Sequence, residues 1–127
     1  MIQHRQFSGV EIAATSQGFP VVRPLKYNPE TRQSLHDVME DLLGQSKLRV
    51  VLDLTRLKPG EQVDAAQLTW SDLYGRGMQA AYFGMGEEER RRLALGSLKG
   101  AFGRDMEEAA QLLEGRVGQD FPLYEVR

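Results

Sequence analysis

Asp53, Glu61 and Asp64 are the acids whose spacing comes nearest to a chemical site. Asp53 closes a valine-rich run that reads as a parallel strand. Glu61 and Asp64 follow in the next loop, where open α/β sheets hold their ligands. Together they suit a magnesium ion or a polar ligand, yet no paired ligand spacing accompanies them. The plainer expectation makes Asp64 a helix cap and leaves Asp53 and Glu61 as solvated loop acids, with no metal and no cofactor. A second candidate is Gly84-Met85-Gly86, which follows a strand and opens a helix, the setting of a phosphate-cradling turn. Its third glycine position is Glu89, and Glu87, Glu88 and Glu89 would repel a pyrophosphate where the helix dipole should attract it. These acids instead pair with Arg90, Arg91 and Arg92 at three- and four-residue spacing, which describes a solvated helix face.

Nucleophilic chemistry finds even less. The chain has no cysteine, which removes disulfides, thiolate zinc sites and cysteine nucleophiles together. His4 and His36 are the only histidines. Neither stands in recognisable spacing with a nucleophile or a second metal ligand, and His36 lies off the apolar stripe of its helix, facing water. No catalytic residues are therefore expected. The balance of 16 Lys and Arg against 18 Asp and Glu over 127 residues is that of a globular protein. A net charge of -2 offers no general attraction for nucleic acid. No stretch approaches the length of a membrane span, and the first ten residues lack the basic head and apolar run of a signal peptide, so membrane insertion is not expected and cytoplasm is the expected location.

Elements must position these side chains. Gly18-Phe19-Pro20-Val21-Val22-Arg23-Pro24-Leu25 is β-branched but broken by proline, so it reads as a strand near a sheet edge, with Val10 to Ala13 as its pairing partner. Asn28-Pro29-Glu30 supplies a capping side chain, a proline for the first helical position and a carboxylate for the first turn. The helix that follows buries Leu35, Val38, Met39, Leu42 and Leu43 and stops at a left-handed Gly44. Leu48 to Leu54 reads as a central parallel strand covered on both faces. Lys58-Pro59-Gly60 reads as a turn before a second helix capped by Asp64, in which Ala66, Trp70, Leu73, Tyr74 and Gly77 share a face and Gly75-Arg76-Gly77 ends the run. Met78 to Met85 is a further strand, and a third helix runs from Glu87 to about Leu98. Gly100 and Gly103 lead to Asp105, which with Glu108 opens a fourth helix carrying Ala109, Leu112 and Leu113. The tail, 115–127, is an added edge strand or an arm. The expectation is a single α/β domain over 1–127, with its core at about 19–113: a mostly parallel sheet, an edge strand pair and about four helices.

The run Arg49-Val50-Val51-Leu52-Asp53-Leu54-Thr55-Arg56-Leu57, and the segment Leu95-Gly96-Ser97-Leu98-Lys99-Gly100-Ala101-Phe102 with Asp105, Glu107, Glu108 and Ala109, carry a resemblance. In these stretches and in the order of its elements, roughly from Phe19 to Leu113, the chain resembles the STAS domain of bacterial anti-sigma-factor antagonists. The resemblance implies a cytoplasmic, non-catalytic regulatory or scaffolding domain whose partner is a regulatory protein of kinase-like or anti-sigma-like kind. In that family the loop after the central strand leads into an acidic-serine-glycine motif, whose serine a partner kinase phosphorylates. Here the corresponding stretch is Lys58-Pro59-Gly60-Glu61-Gln62-Val63-Asp64-Ala65-Ala66-Gln67, with alanine where the hydroxyl should be. Alanine accepts no phosphate, so partner binding is expected to be constitutive or controlled by other means. Thr69 and Ser71 are the hydroxyls about one turn on, and most such helical hydroxyls are solvated or bond back to their own helix.

STAS-like proteins present the helix after the central strand to their partners. Trp70 has the character of an interface anchor, but its shared face with Ala66, Leu73 and Tyr74 favours packing against the sheet. The side expected to be exposed holds Gln67, Leu68, Ser71 and Asp72. Leu68 is its odd apolar member, and with Val63, Asp64 and Ala65 it completes the expected partner-binding set, partial burial under the preceding loop being the plainer alternative for Leu68. Self-association is a second expected interaction. A different functional class remains beside this one: a small-molecule or nucleotide sensor holding its ligand at the carboxyl ends of the strands, near Asp53, Asp64 and Gly84.

Overall fold

The computed structural model describes residues 8–74, 77, 79–95 and 101–115, apart from the side chains of 70–74, 93–95, 101 and 115. In chain order the elements are β1 (Val10–Ala14), β2 (Pro20–Pro24), α1 (Pro29–Gly44), β3 (Arg49–Asp53), α2 (Pro59–Tyr74), β4 (Gln79–Phe83), α3 (Glu87–Leu95), β5 (Ala101–Phe102) and α4 (Met106–Gly115). The strands form one sheet in the order β1-β2-β3-β4-β5. β1 runs antiparallel to β2, and every later neighbour is parallel. The α/β class, the edge strand pair and the mostly parallel sheet match the sequence expectation. The two-residue β5, which follows Gly100, is an addition to it.

Two prolines sit in β2 although it is not the outermost strand. The reason lies in the phase of its ladder. Leu25 N–H donates to Gly9 O at 2.8 Å and Thr15 N–H to Phe19 O at 2.9 Å. In the β1–β2 register Gly9, Glu11, Ala13 and Thr15 therefore exchange bonds with β2, while Val10, Ile12 and Ala14 turn their backbone groups away from it. Pro20 and Pro24 lie opposite Ala14 and Val10. Their missing N–H groups face β3, whose pairing with β2 covers Val21 and Val22 between them.

Strand side chains alternate between two cores. Val22, Val50, Leu52, Ala80 and Tyr82 pack with Leu35, Val38, Met39 and Leu42 of α1 and with Val63, Ala65 and Ala66 of α2. Val21, Val51, Ala81 and Phe83 meet Ala109 and Leu113 of α4 on the opposite face. The chain steps across the sheet in one direction, and right-handed crossovers then put successive connecting helices on one face. α1 and α2 obey this rule, α3 packs beside α2, and among the described helices α4 covers the other side.

Local signals fix most helix ends. Asn28 caps α1, its side chain accepting from Thr31 N–H at 2.8 Å, with Pro29 in the first helical position. The far end differs from expectation. The left-handed residue is Ser46, at φ 58, and not Gly44. Lys47 N–H reaches Leu42 O and Ser46 N–H reaches Leu43 O, the paired bonds of a Schellman stop. Asp64 likewise does not cap α2, because Lys58-Pro59-Gly60 starts that helix instead of forming a separate turn. Gln62 N–H donates to Lys58 O at 2.8 Å, and the Glu61 carboxylate accepts from Lys58 N–H at 3.0 Å. Proline at the first helical position loses a hydrogen bond that had no partner in any case. Asp105 caps α4 as expected, its carboxylate accepting from Glu108 N–H at 2.8 Å. The proposed stops at Gly75 and Arg76, the strand start at Met78, the stretch through Gly100 and the tail after Gly115 lie outside the described residues.

Gly84 follows β4 at φ +95, and a Cβ built there would stand 2.7 Å from the backbone nitrogen of Thr55. Gly18, at φ +90, has nothing within 4 Å. Gly18→Ala should therefore cost the backbone term alone, about 1 kcal/mol, whereas Gly84→Ala should cost about 3 kcal/mol because backbone must also move. Urea unfolding of the two variants measures the difference, and equal losses would contradict the contact.

Candidate functional site

The strand ends carry a polar junction centred on Asp53, which is 3% exposed. The β2–β3 register continues from Val21↔Val51 and Val22↔Leu52 to bring Arg23 alongside Asp53. Arg23 Nε donates to Asp53 Oδ2 at 2.5 Å, and Arg23 Nη1 donates to Glu11 Oε1 at 3.2 Å across the β1–β2 pair. The other carboxylate oxygen accepts from Thr55 N–H at 3.0 Å and from the Thr55 hydroxyl at 2.6 Å. A nearly buried carboxylate thus has both oxygens occupied, the condition under which its charge can stay inside. Burial alone would raise the Asp53 carboxyl; the bonds from Thr55 and Arg23 outweigh it and hold the group below the usual carboxylate range. The hydrogen bond to Asp53 raises Arg23 in turn, against some loss from burial.

Behind this junction, Gln62 of α2 is buried and its amide nitrogen donates to Leu54 O at 2.8 Å and to Gly84 O at 3.0 Å. One side chain therefore ties α2 to the ends of two strands. Gly84 is packed against Thr55, and Glu89 folds back over Gly86. Near Asp53 and Gly84, the Asp53 carboxylate is bonded by Arg23 and Thr55, and the Gln62 amide by the backbone carbonyls of Leu54 and Gly84. Ligand crevices of open sheets also form where strand order reverses, and no such reversal occurs among the described strands. No group of three or more His, Asp or Glu side chains among the described residues is placed to hold a metal ion.

The expected partner-binding residues separate into two sets. Val63 and Ala65 are 8% and 1% exposed and belong to the core, so neither contributes to a surface patch. Both lie in α2 on the side that packs into the core with Val22, Leu52 and Tyr82. Asp64 and Gln67 are exposed, and Leu68 is half-buried, resting against the same core. The side chains of Ser71 and Asp72, like that of Trp70, lie outside the described residues. Leu68 floors an open groove of ≈ 440 Å³ between α1 and α2, bordered by Pro29, Arg32, Gln33 and His36. The Asp64 carboxylate accepts a hydrogen bond from the Tyr27 hydroxyl. Burial and that bond push the phenol well above its ordinary value. Glu61, expected as a solvated acid, is half-buried and serves the start of α2. Thr69 is 1% exposed, and its hydroxyl donates to Ala65 O and Ala66 O, so it bonds backward within α2. His36 stands near Glu40, 3.8 Å between Nε2 and Oε1, and His4 lies outside the described residues.

No protein-family model matches the chain, and a search of curated proteins finds no match. No described helix is long and apolar enough to cross a membrane. Arg23 and Gln62 carry no local signal of these roles, since each lies in an unremarkable polar position of its own element. Arginine between valine and proline in a strand, opposite an acid that ends the next strand, was the available signal for Arg23.

The sign of the Asp53 shift sets a pH dependence. A carboxyl lowered on folding contributes stability above its unfolded value of about 3.9, and that contribution is lost as pH falls through the lower folded value. Asp53→Asn should be less stable than wild type at neutral pH, and the gap should narrow on acidification from about pH 5 toward about pH 2. Urea unfolding at stepped pH tests this; a gap independent of pH would contradict it.

Proposed function

We propose that this chain is a STAS-like regulatory or scaffolding domain of the cytoplasm, without catalysis, which binds a partner protein through the loop and helix after its central strand. Binding would not require phosphorylation. The observation that carries the reading is the outer side of α2, where Asp64 and Gln67 are exposed and Leu68 floors the groove shared with α1. An apolar floor with polar and cationic borders suits the buried centre and polar rim of a protein interface. Ala65 and Ala66, which stand where the family carries its phosphoacceptor, have no hydroxyl and are buried. Thr69 is engaged inside the helix, which further supports a constitutive mode. The partner would be a regulatory protein of kinase-like or anti-sigma-like kind. The sensor reading has less support, because Asp53, Thr55 and Gln62 already spend their polar groups on one another, on Arg23 and on the backbone.

The test is affinity capture of the tagged full chain from its own cells, with mass spectrometry of what is retained. Gln67→Arg changes an exposed position outside the core, and a circular-dichroism melt confirms that the variant is folded. Leu68→Asp places a charge in the groove and should cost stability as well, because Leu68 touches the core. A protein enriched by wild type should fall about tenfold or more with both variants. Equal recovery with wild type and both variants would overturn the α2 interface.

A further inference from the structure

We propose that β1 is a self-association edge, along which a second copy of this chain pairs antiparallel about a two-fold axis at Ile12. The two sheets would then join into one. Val10, Ile12 and Ala14 are the residues that turn their backbone groups away from β2, as the bonds at Gly9 and Thr15 establish. No described strand pairs with β1 on that side. A row of outward groups at alternate positions, centred on Ile12, is its own complement in antiparallel register. Ile12 exchanges bonds with Ile12 of the copy, and Val10 with the copy's Ala14.

Side chains agree with this register. Val10 and Ile12 belong with the α1 and α2 core, so pairing would continue that apolar face from one copy to the other. On the opposite face Glu11 would meet the copy's Ala13. Both residues are exposed, and the alanine is small. Glu11 is the only charge in β1, and Arg23 already engages its carboxylate at 3.2 Å. No like charges stand directly across the axis.

The two edges of the sheet are also treated differently. β5 is two residues long, which limits pairing there. β1 has five residues and carries no proline or lysine to obstruct a neighbour, and its register with β2 is unbroken. An edge this short buries much less than the about 1,600 Å² of a standard interface, so the dimer is a weak, concentration-dependent one.

Sedimentation velocity of the full chain over a concentration series tests the proposal, with circular dichroism confirming that each variant is folded. Wild type should shift from monomer toward dimer as concentration rises. Ala14→Pro removes an outward N–H at an exposed position and leaves the β1–β2 bonds in place, so it should weaken the dimer about tenfold. Charge at position 13 tests the register directly. Ala13→Glu would face the copy's Glu11 and should weaken association, while Ala13→Lys would face it with opposite charge and should strengthen association, each by roughly threefold to tenfold across two symmetric pairs. A monomer at every concentration would overturn the proposal. So would a dimer indifferent to Ala14→Pro, or one weakened by Ala13→Lys, since lysine on an edge ordinarily discourages pairing.

Discussion

A buried carboxylate at the end of the central strand constrains everything around it. Asp53 cannot keep its charge at 3% exposure without partners on both oxygens, and the fold supplies them from two directions. Arg23 comes from the neighbouring strand and so requires the β2–β3 register. Thr55 comes from two residues along the chain and so requires the tight path out of β3. That path brings Thr55 against Gly84, where only a glycine leaves room. The register of three strands and the course of one loop are thus linked through a single side chain.

The same junction determines which surface is available. With Gln62 bound to Leu54 O and Gly84 O, the first turn of α2 is held against the strand ends. Val63, Ala65, Ala66 and Thr69 then point inward, and Asp64 and Gln67 point out. Tyr27 reaches across to Asp64 and joins the approach to α1 with the second turn of α2. The groove floored by Leu68 is the consequence of placing two adjacent crossover helices on one face of the sheet. Its lining is mixed, with Leu68 and Pro29 beside Arg32, Gln33 and His36.

Where the sequence was legible, local physics decided the outcome. Asn28-Pro29 announced the start of α1, Asp105 the start of α4, and the valine run from Arg49 to Asp53 the central strand. These signals act within a few residues and do not depend on what packs against them. The start of α2 departs from expectation because Lys58-Pro59-Gly60 satisfies both a turn and a helix start, and only the reach of Glu61 back to Lys58 N–H distinguishes them. Val63, expected ahead of the helix, thus lies within it and packs with Ala65 into the core. The partners of Asp53 were hidden for a different reason: Arg23 lies thirty positions away, and its role appears only when strand register is known. Two-residue β5 gave no periodicity to read, since a run that short has no alternation.

A double-mutant cycle decides whether the Arg23–Asp53 pair holds the strand ends together. Arg23→Met, Asp53→Ala and the double variant would be unfolded in urea at neutral pH. Arg23→Met leaves the buried Asp53 carboxylate with Thr55 alone and should cost about 3 kcal/mol, Asp53→Ala leaves Arg23 with Glu11 and removes the Thr55 bonds as well, and the double variant should cost about 2 kcal/mol less than the two losses combined. Losses that add within about 0.5 kcal/mol would show that the two charges contribute independently and would contradict the account.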